Sequence, residues 1–150
     1  MFQLVSSYRW HSISLAGVLI AMIKIYVTSV PVESQEKALD FYTNILGFVK
    51  KKEVSLGEHK WLTVVSPQEQ SGVELLLEPM AFEPARIYQQ SLKEAGIPWT
   101  SFAIDDLEKE YARLSGLGVR FSIPPKEAGT VKIAVFDDTC GNFIQLVQEL

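Results

Sequence analysis

The sequence predicts an α+β fold built from two βαβββ modules. Three observations carry that reading. Short β-branched segments outnumber helical patterns. Two of the helical patterns close on the same dipeptide, Leu46-Gly47 and Leu117-Gly118, which differ by 71 positions. The same offset of 71 pairs Glu74-Leu75 with Gln145-Leu146, Val64 with Val135 and Glu78 with Glu149. At the front of the modules Val32 and Ile104 differ by 72, a slip of one residue absorbed in the helix. A near-constant internal offset is the mark of a duplicated unit.

The elements follow in order. Ile23 to Val30 is β-branched and runs into Pro31, a first strand. Ser34 is a good N-cap for a helix whose Ala38, Phe41, Tyr42, Ile45 and Leu46 share one face. Gly47 stops it. Phe48 to Ser55 is the second strand and carries Lys50, Lys51 and Lys52. Residues 56–59 turn, and Lys60 to Ser66 is the third strand. Pro67 to Gly72 is a polar loop, and Val73 to Glu78 is the fourth strand. Pro84 to Ala95 is a linking helix, with Pro84 suited to its first turn and Gly96 to its end. The pattern then recurs. Trp99 to Ile104 is a strand. Asp105 caps a helix with Leu107, Tyr111, Leu114 and Leu117 on one face. Three more strands cover Val119 to Ile123, Val131 to Phe136 and Phe143 to Gln148. Residues 138–142 form the turn before the last strand.

Composition narrows the function classes. The chain has 150 residues, 47% apolar and 21% charged, enough for a real core. Its formal charge of −4 makes nucleic acid a poor partner. Its single cysteine, Cys140, allows no internal disulfide and suits a reducing cytoplasm. Cys140 reads as a structural turn thiol. Two histidines, His11 and His59, exclude any site that needs three imidazoles from one chain. Residues 1–21 differ from the rest: they hold no acidic group, and residues 13–23 form an apolar run too short to span a bilayer. They read as an extension, upstream of a natural start at Met22, with a weak signal-like segment as the alternative. The domain is then 22–150, with modules 22–80 and 97–150 joined by helix 84–95.

Val32-Glu33-Ser34, Ala38-Leu39-Asp40-Phe41-Tyr42 and Leu46-Gly47-Phe48 resemble the vicinal oxygen chelate superfamily, which contains glyoxalase I, bleomycin-resistance proteins and extradiol dioxygenases. Residues 102–107 and 136–146 resemble its second module. The resemblance implies curved mixed sheets around a cleft, within a homodimer. It also implies where metal ligands would stand: on the first and fourth strands of each module. Counted back from the helix motifs, those positions are Val27, Glu74, Trp99 and Gln145. One carboxylate and one amide make a poor divalent-metal site. Gln145 cannot abstract a proton.

Strand alternation puts Glu74, Leu76 and Glu78 on one face and Val73, Leu75 and Leu77 on the other. Gln145 and Val147 likewise oppose Ile144 and Leu146. The expected ligand contacts are therefore Glu74 and Gln145, with Trp61, Trp99, Tyr26 and Phe136 as aromatic walls. Glu74 is the sole candidate catalytic base. His59 is expected in solvent, and the three lysines are expected to protect a sheet edge. The resulting expectation is a homodimeric protein that binds a small organic molecule and needs no cofactor. A metal-dependent lactoylglutathione-lyase-like isomerase or dioxygenase-like enzyme is the alternative, and a structural or interaction dimer is a third.

Overall fold

The computed structural model describes residues 13–15, 18–20 and 22–150. Most of the extension expected at residues 1–21, His11 included, lies outside these. Two short strands within it, β1 (Ile13–Leu15) and β2 (Val18–Ile20), pair antiparallel.

Two four-stranded mixed sheets follow, and the fold is α+β as expected. The first contains β3 (Val27–Val32), β4 (Val49–Leu56), β5 (His59–Val65) and β6 (Glu74–Pro79), in the order β3-β6-β5-β4. The second contains β7 (Thr100–Ala103), β8 (Phe121–Ala128), β9 (Val131–Asp137) and β10 (Phe143–Glu149), in the order β7-β10-β9-β8. In each sheet the first and fourth strands of the module run parallel and the other pairs antiparallel. The repeat seen in the sequence is therefore a repeat of topology.

Helix α1 (Gln35–Asp40) starts at Ser34, whose hydroxyl accepts from the Lys37 amide at 3.3 Å. It continues as a π-helical turn over Phe41–Ile45 and ends at Gly47, where φ is +85°. The linker helix is α2 (Glu83–Glu94). Helix α3 (Leu107–Gly116) is capped by Asp106, whose carboxylate accepts from the Lys109 amide at 3.0 Å. That corrects the expected cap at Asp105 by one residue.

Strand boundaries also differ from expectation, most at β3 and β8. The first strand begins at Val27, because pairing with β6 starts at Val27 opposite Glu74. Ile23 and Ile25, assigned to it from their β-branching, are 98% and 76% exposed. Strand β8 runs on past Ile123 through Pro124 and Pro125. It is an edge strand with register shifts, where missing amide donors cost little.

One core joins the modules. Val30, Val32, Leu62, Val64, Leu75 and Leu77 meet Ala134, Phe136, Ile144 and Leu146 across α1 and α3. Phe41 packs on Phe136 with ring centroids 6.3 Å apart, and Phe48 on Phe102 at 5.2 Å. The opposite sheet faces, which carry Glu74 in one module and Gln145 in the other, are turned away from this core. Among the described residues no helix is long and apolar enough to cross a membrane.

Candidate functional site

The Glu74 face of the first sheet carries a polar cluster built on a buried carboxylate. Glu74 opens β6 and is only 4% exposed. One carboxylate oxygen accepts from the Thr63 hydroxyl at 2.8 Å, and the other from the Lys52 ammonium at 2.6 Å. Lys52 also donates to the Tyr26 phenol at 2.6 Å and lies 4.9 Å from the centroid of its ring. The register explains the grouping. Lys52 on β4 is the partner of Thr63 on β5, Thr63 is the partner of Leu76 on β6, and Glu74 is two residues back on the same face. A bulge between Lys50 and Lys52 sets this register. Trp61 and Val54 pair on the same face one step further along.

Lys52 and Thr63 were missed as site residues in the sequence. The lysine run is not one uniform charged edge. Lys50 pairs with Glu53, Lys51 donates to the Gln70 carbonyl, and Lys52 turns inward to Glu74. Lys50 and Lys60 together lower the exposed Glu53 carboxyl to about 2. His59 is exposed as expected.

The remaining expected contacts are dispersed. Gln145 lies on the second sheet and donates to the Ser101 hydroxyl at 3.0 Å. Ser101, not Trp99, is its neighbour on the first strand of that module. Val27 pairs with Glu74 and Ser101 with Gln145, so the two ends of the module are offset by 74 and 71 positions. Counting from the helix motifs misses that difference. Trp99 instead donates its indole N–H to the Ser29 carbonyl at 3.0 Å and stacks edge-on against Tyr88. Phe136 is a correction of a different kind: it is fully buried in the core. Its partner Ile144 faces the helices, so Phe136 must as well. Among the described residues no hydrogen bond joins Glu74 to Gln145.

A second polar cluster knits the modules together. Asp138 is fully buried and accepts from the Tyr42 phenol (2.9 Å), the Asn142 side chain (2.7 Å) and the amides of Cys140 and Asn142 (2.8 and 2.9 Å). Burial raises the Asp138 carboxyl despite these bonds. It also raises the Tyr42 phenol and pushes the Cys140 thiol up to about 12. Gln89 of α2 donates to the Pro31 carbonyl and the Asn142 side-chain oxygen, both at 2.9 Å. A buried thiol held so far from ionisation is a poor nucleophile. This cluster is structural. A shallow pocket of about 270 Å³ beside it, lined by Glu33, Arg86, Gln89, Gln90, Lys93, Glu94 and Gly141, does not include Glu74.

Among the expected ligand positions on the Glu74 face, a divalent metal would meet a single carboxylate. Val27 beside Glu74 offers no side-chain donor atom, and both oxygens of Glu74 already accept hydrogen bonds, one of them from the Lys52 ammonium. Ser101 and Gln145 on the other sheet are neutral oxygen donors. Among the described residues no group of three His, Cys, Asp or Glu side chains is placed to hold an ion.

Known proteins agree with this architecture. The chain is 51% identical over 127 residues to the uncharacterized protein YurT of Bacillus subtilis strain 168, which covers 85% of this chain and all of that protein. Among solved structures it resembles UcmS2 with a TM-score of 0.74 and 27% identity, over 85% of this chain and 99% of that one. It resembles TnmS3, an antibiotic binding protein from Streptomyces sp. CB03234, with a TM-score of 0.67 and 27% identity, over 87% of this chain and 99% of that one. The model of the Glyoxalase/Bleomycin resistance protein/Dioxygenase superfamily matches residues 24–146. With the duplicated modules and their shared core already established, the match identifies the chain as a member of that superfamily.

Proposed function

We propose that this chain binds a small organic molecule against the Glu74 face and does so without a conventional metal centre. One observation carries the reading. Glu74 is the only carboxylate at the positions where metal-bearing members are expected to place ligands, and Lys52 and Thr63 already satisfy it. A buried carboxylate paired to an ammonium is not available as a general base until that pair is broken. The likeness to an antibiotic binding protein supports binding rather than catalysis. Cytoplasmic residence and a homodimeric state complete the proposal. The dimer is motivated by Gln145 and Glu74 standing on faces turned away from the common core, so that a second copy could complete either face.

The experiment is a thermal-shift screen of small organic molecules on the purified chain, produced without a metal-affinity tag. Ligands that bind only the folded state raise its stability. Hits are expected, and Glu74→Ala should weaken them. Near-stoichiometric Zn, Ni, Fe or Mn that survives dialysis would overturn the metal-free reading. A screen without hits would overturn the binding reading.

A further inference from the structure

The Gln89 side-chain amide has a definite orientation, and its oxygen end is unsatisfied. Its nitrogen faces three oxygens: the Pro31 carbonyl at 2.9 Å, the Asn142 side-chain oxygen at 2.9 Å and the Cys140 carbonyl at 3.4 Å. Turning the amide over would set oxygen against oxygen, so the nitrogen belongs there. Its Oε1 is then turned away from those acceptors. Among the described residues nothing donates to Oε1, although Gln89 is only 5% exposed. No fully enclosed side-chain oxygen or nitrogen of the described residues lacks a partner, so this oxygen reaches an opening. The opening is the shallow pocket of about 270 Å³ that Gln89 helps to line. Gly141, on the same wall, leaves the oxygen uncovered: a Cβ there would stand 2.8 Å from Oε1.

The charges around that oxygen are not balanced. Arg86, Gln89, Gln90, Lys93 and Glu94 recur at three- and four-residue spacing and share one face of α2. The two cations of that face are committed. Lys93 holds Asp137 at 3.1 Å, and Arg86 holds Glu83 at 3.4 Å and donates to the Met80 carbonyl at 3.2 Å. The two carboxylates that line the pocket are not. Glu33 and Glu94 enter no ion pair among the described residues, and Glu94 accepts only from the Gln90 amide at 2.9 Å. The pocket therefore presents spare acceptors and uncompensated negative charge. We propose that it binds a small organic cation bearing N–H groups, an alkylguanidinium or alkylammonium. Gln89 Oε1 accepts one N–H, and Glu33 and Glu94 supply the countercharge. The nearly buried oxygen demands a hydrogen-bond donor, so charge alone is not enough. The pocket does not include Glu74, and this binding does not depend on what the Glu74 face holds.

The test follows the isotope-labelled full chain by NMR while three probes of similar length are added at low salt: n-butylguanidinium, n-butyltrimethylammonium and pentanoate. Butylguanidinium should saturate shifts at the Gln89 side-chain amide and the Gly141 backbone amide. Butyltrimethylammonium carries the charge without an N–H and should bind about tenfold more weakly. Pentanoate should leave both signals in place. Glu33→Gln and Glu94→Gln change exposed side chains, and each should weaken butylguanidinium about two- to fivefold. Glu58→Gln, in the turn between β4 and β5, should leave its affinity unchanged. Equal binding of the two cations overturns the inference. So does movement of the same signals by pentanoate, which would make the pocket an anion site at Arg86 and Lys93. Parent affinity in both carboxylate variants, or no saturable shift with butylguanidinium, overturns it as well.

Discussion

Cys140 lies in the turn before β10 with 1% of its surface exposed, and burial holds its thiol at about 12. At pH 8 almost no thiolate is present, so a thiol reagent such as DTNB should react only as fast as the protein unfolds. Rapid labelling of the native chain would show the turn to be open. Tyr42 makes the complementary case. Its phenol donates across the modules to Asp138, and Tyr42→Phe leaves a buried carboxylate oxygen one donor short. The loss should be about 1–3 kcal/mol in urea unfolding. The sign of the Asp138 titration follows from its raised pKa. The folded state takes up the proton more readily than the unfolded state, whose ordinary value is 3.8. The contribution to stability is therefore full below 3.8 and declines as pH rises through the raised folded value. The margin of the parent over Asp138→Asn should accordingly be larger at pH 3 than at pH 7 in parallel urea titrations.

At the scale of elements, the turn from Asp138 to Asn142 depends on Gly141. Its φ is +110°, and a Cβ added there would stand 2.6 Å from the Gln89 amide nitrogen. Gly141→Ala should cost about 1–3 kcal/mol through backbone strain, with further loss as Gln89 moves. Urea unfolding of that variant beside Gln89→Ala would separate the two contributions. Much of this level was legible in the sequence. Leu46-Gly47 and Leu117-Gly118 close helices because only a residue tolerant of positive φ can end them cheaply, and both glycines have φ of +85°. The alternation of Glu74 with Leu75 and Leu77 also told the two faces apart. The pairing of strands was not legible. Register depends on bulges and on loop lengths between distant strands, and the second module is three residues shorter between its first and fourth strands. Trp99 was therefore expected where Ser101 stands. Lys52 was hidden for the same reason: a bulge decides which of three adjacent lysines turns inward.

Across the whole molecule, the common core couples the unfolding of the two modules. Phe136 touches both Phe41 and Phe121, one from each module. Phe136→Ala should cost about 3–5 kcal/mol and leave a single cooperative transition, seen as coincident far-UV and tryptophan-fluorescence melts. Two separated transitions would mean that each module carries its own stability.

Helix α2 has its one buried residue, Gln89, tied to Pro31 in the first module and to Asn142 in the second. The connector is thus bonded to both of the parts it connects. Covalent continuity is then only one of several restraints on their arrangement. A chain severed at the exposed Gly96 should stay assembled, and its halves should co-migrate under native conditions and part only in denaturant. Such tolerance would allow the order of the two modules along the chain to be exchanged by circular permutation without loss of the shared interior.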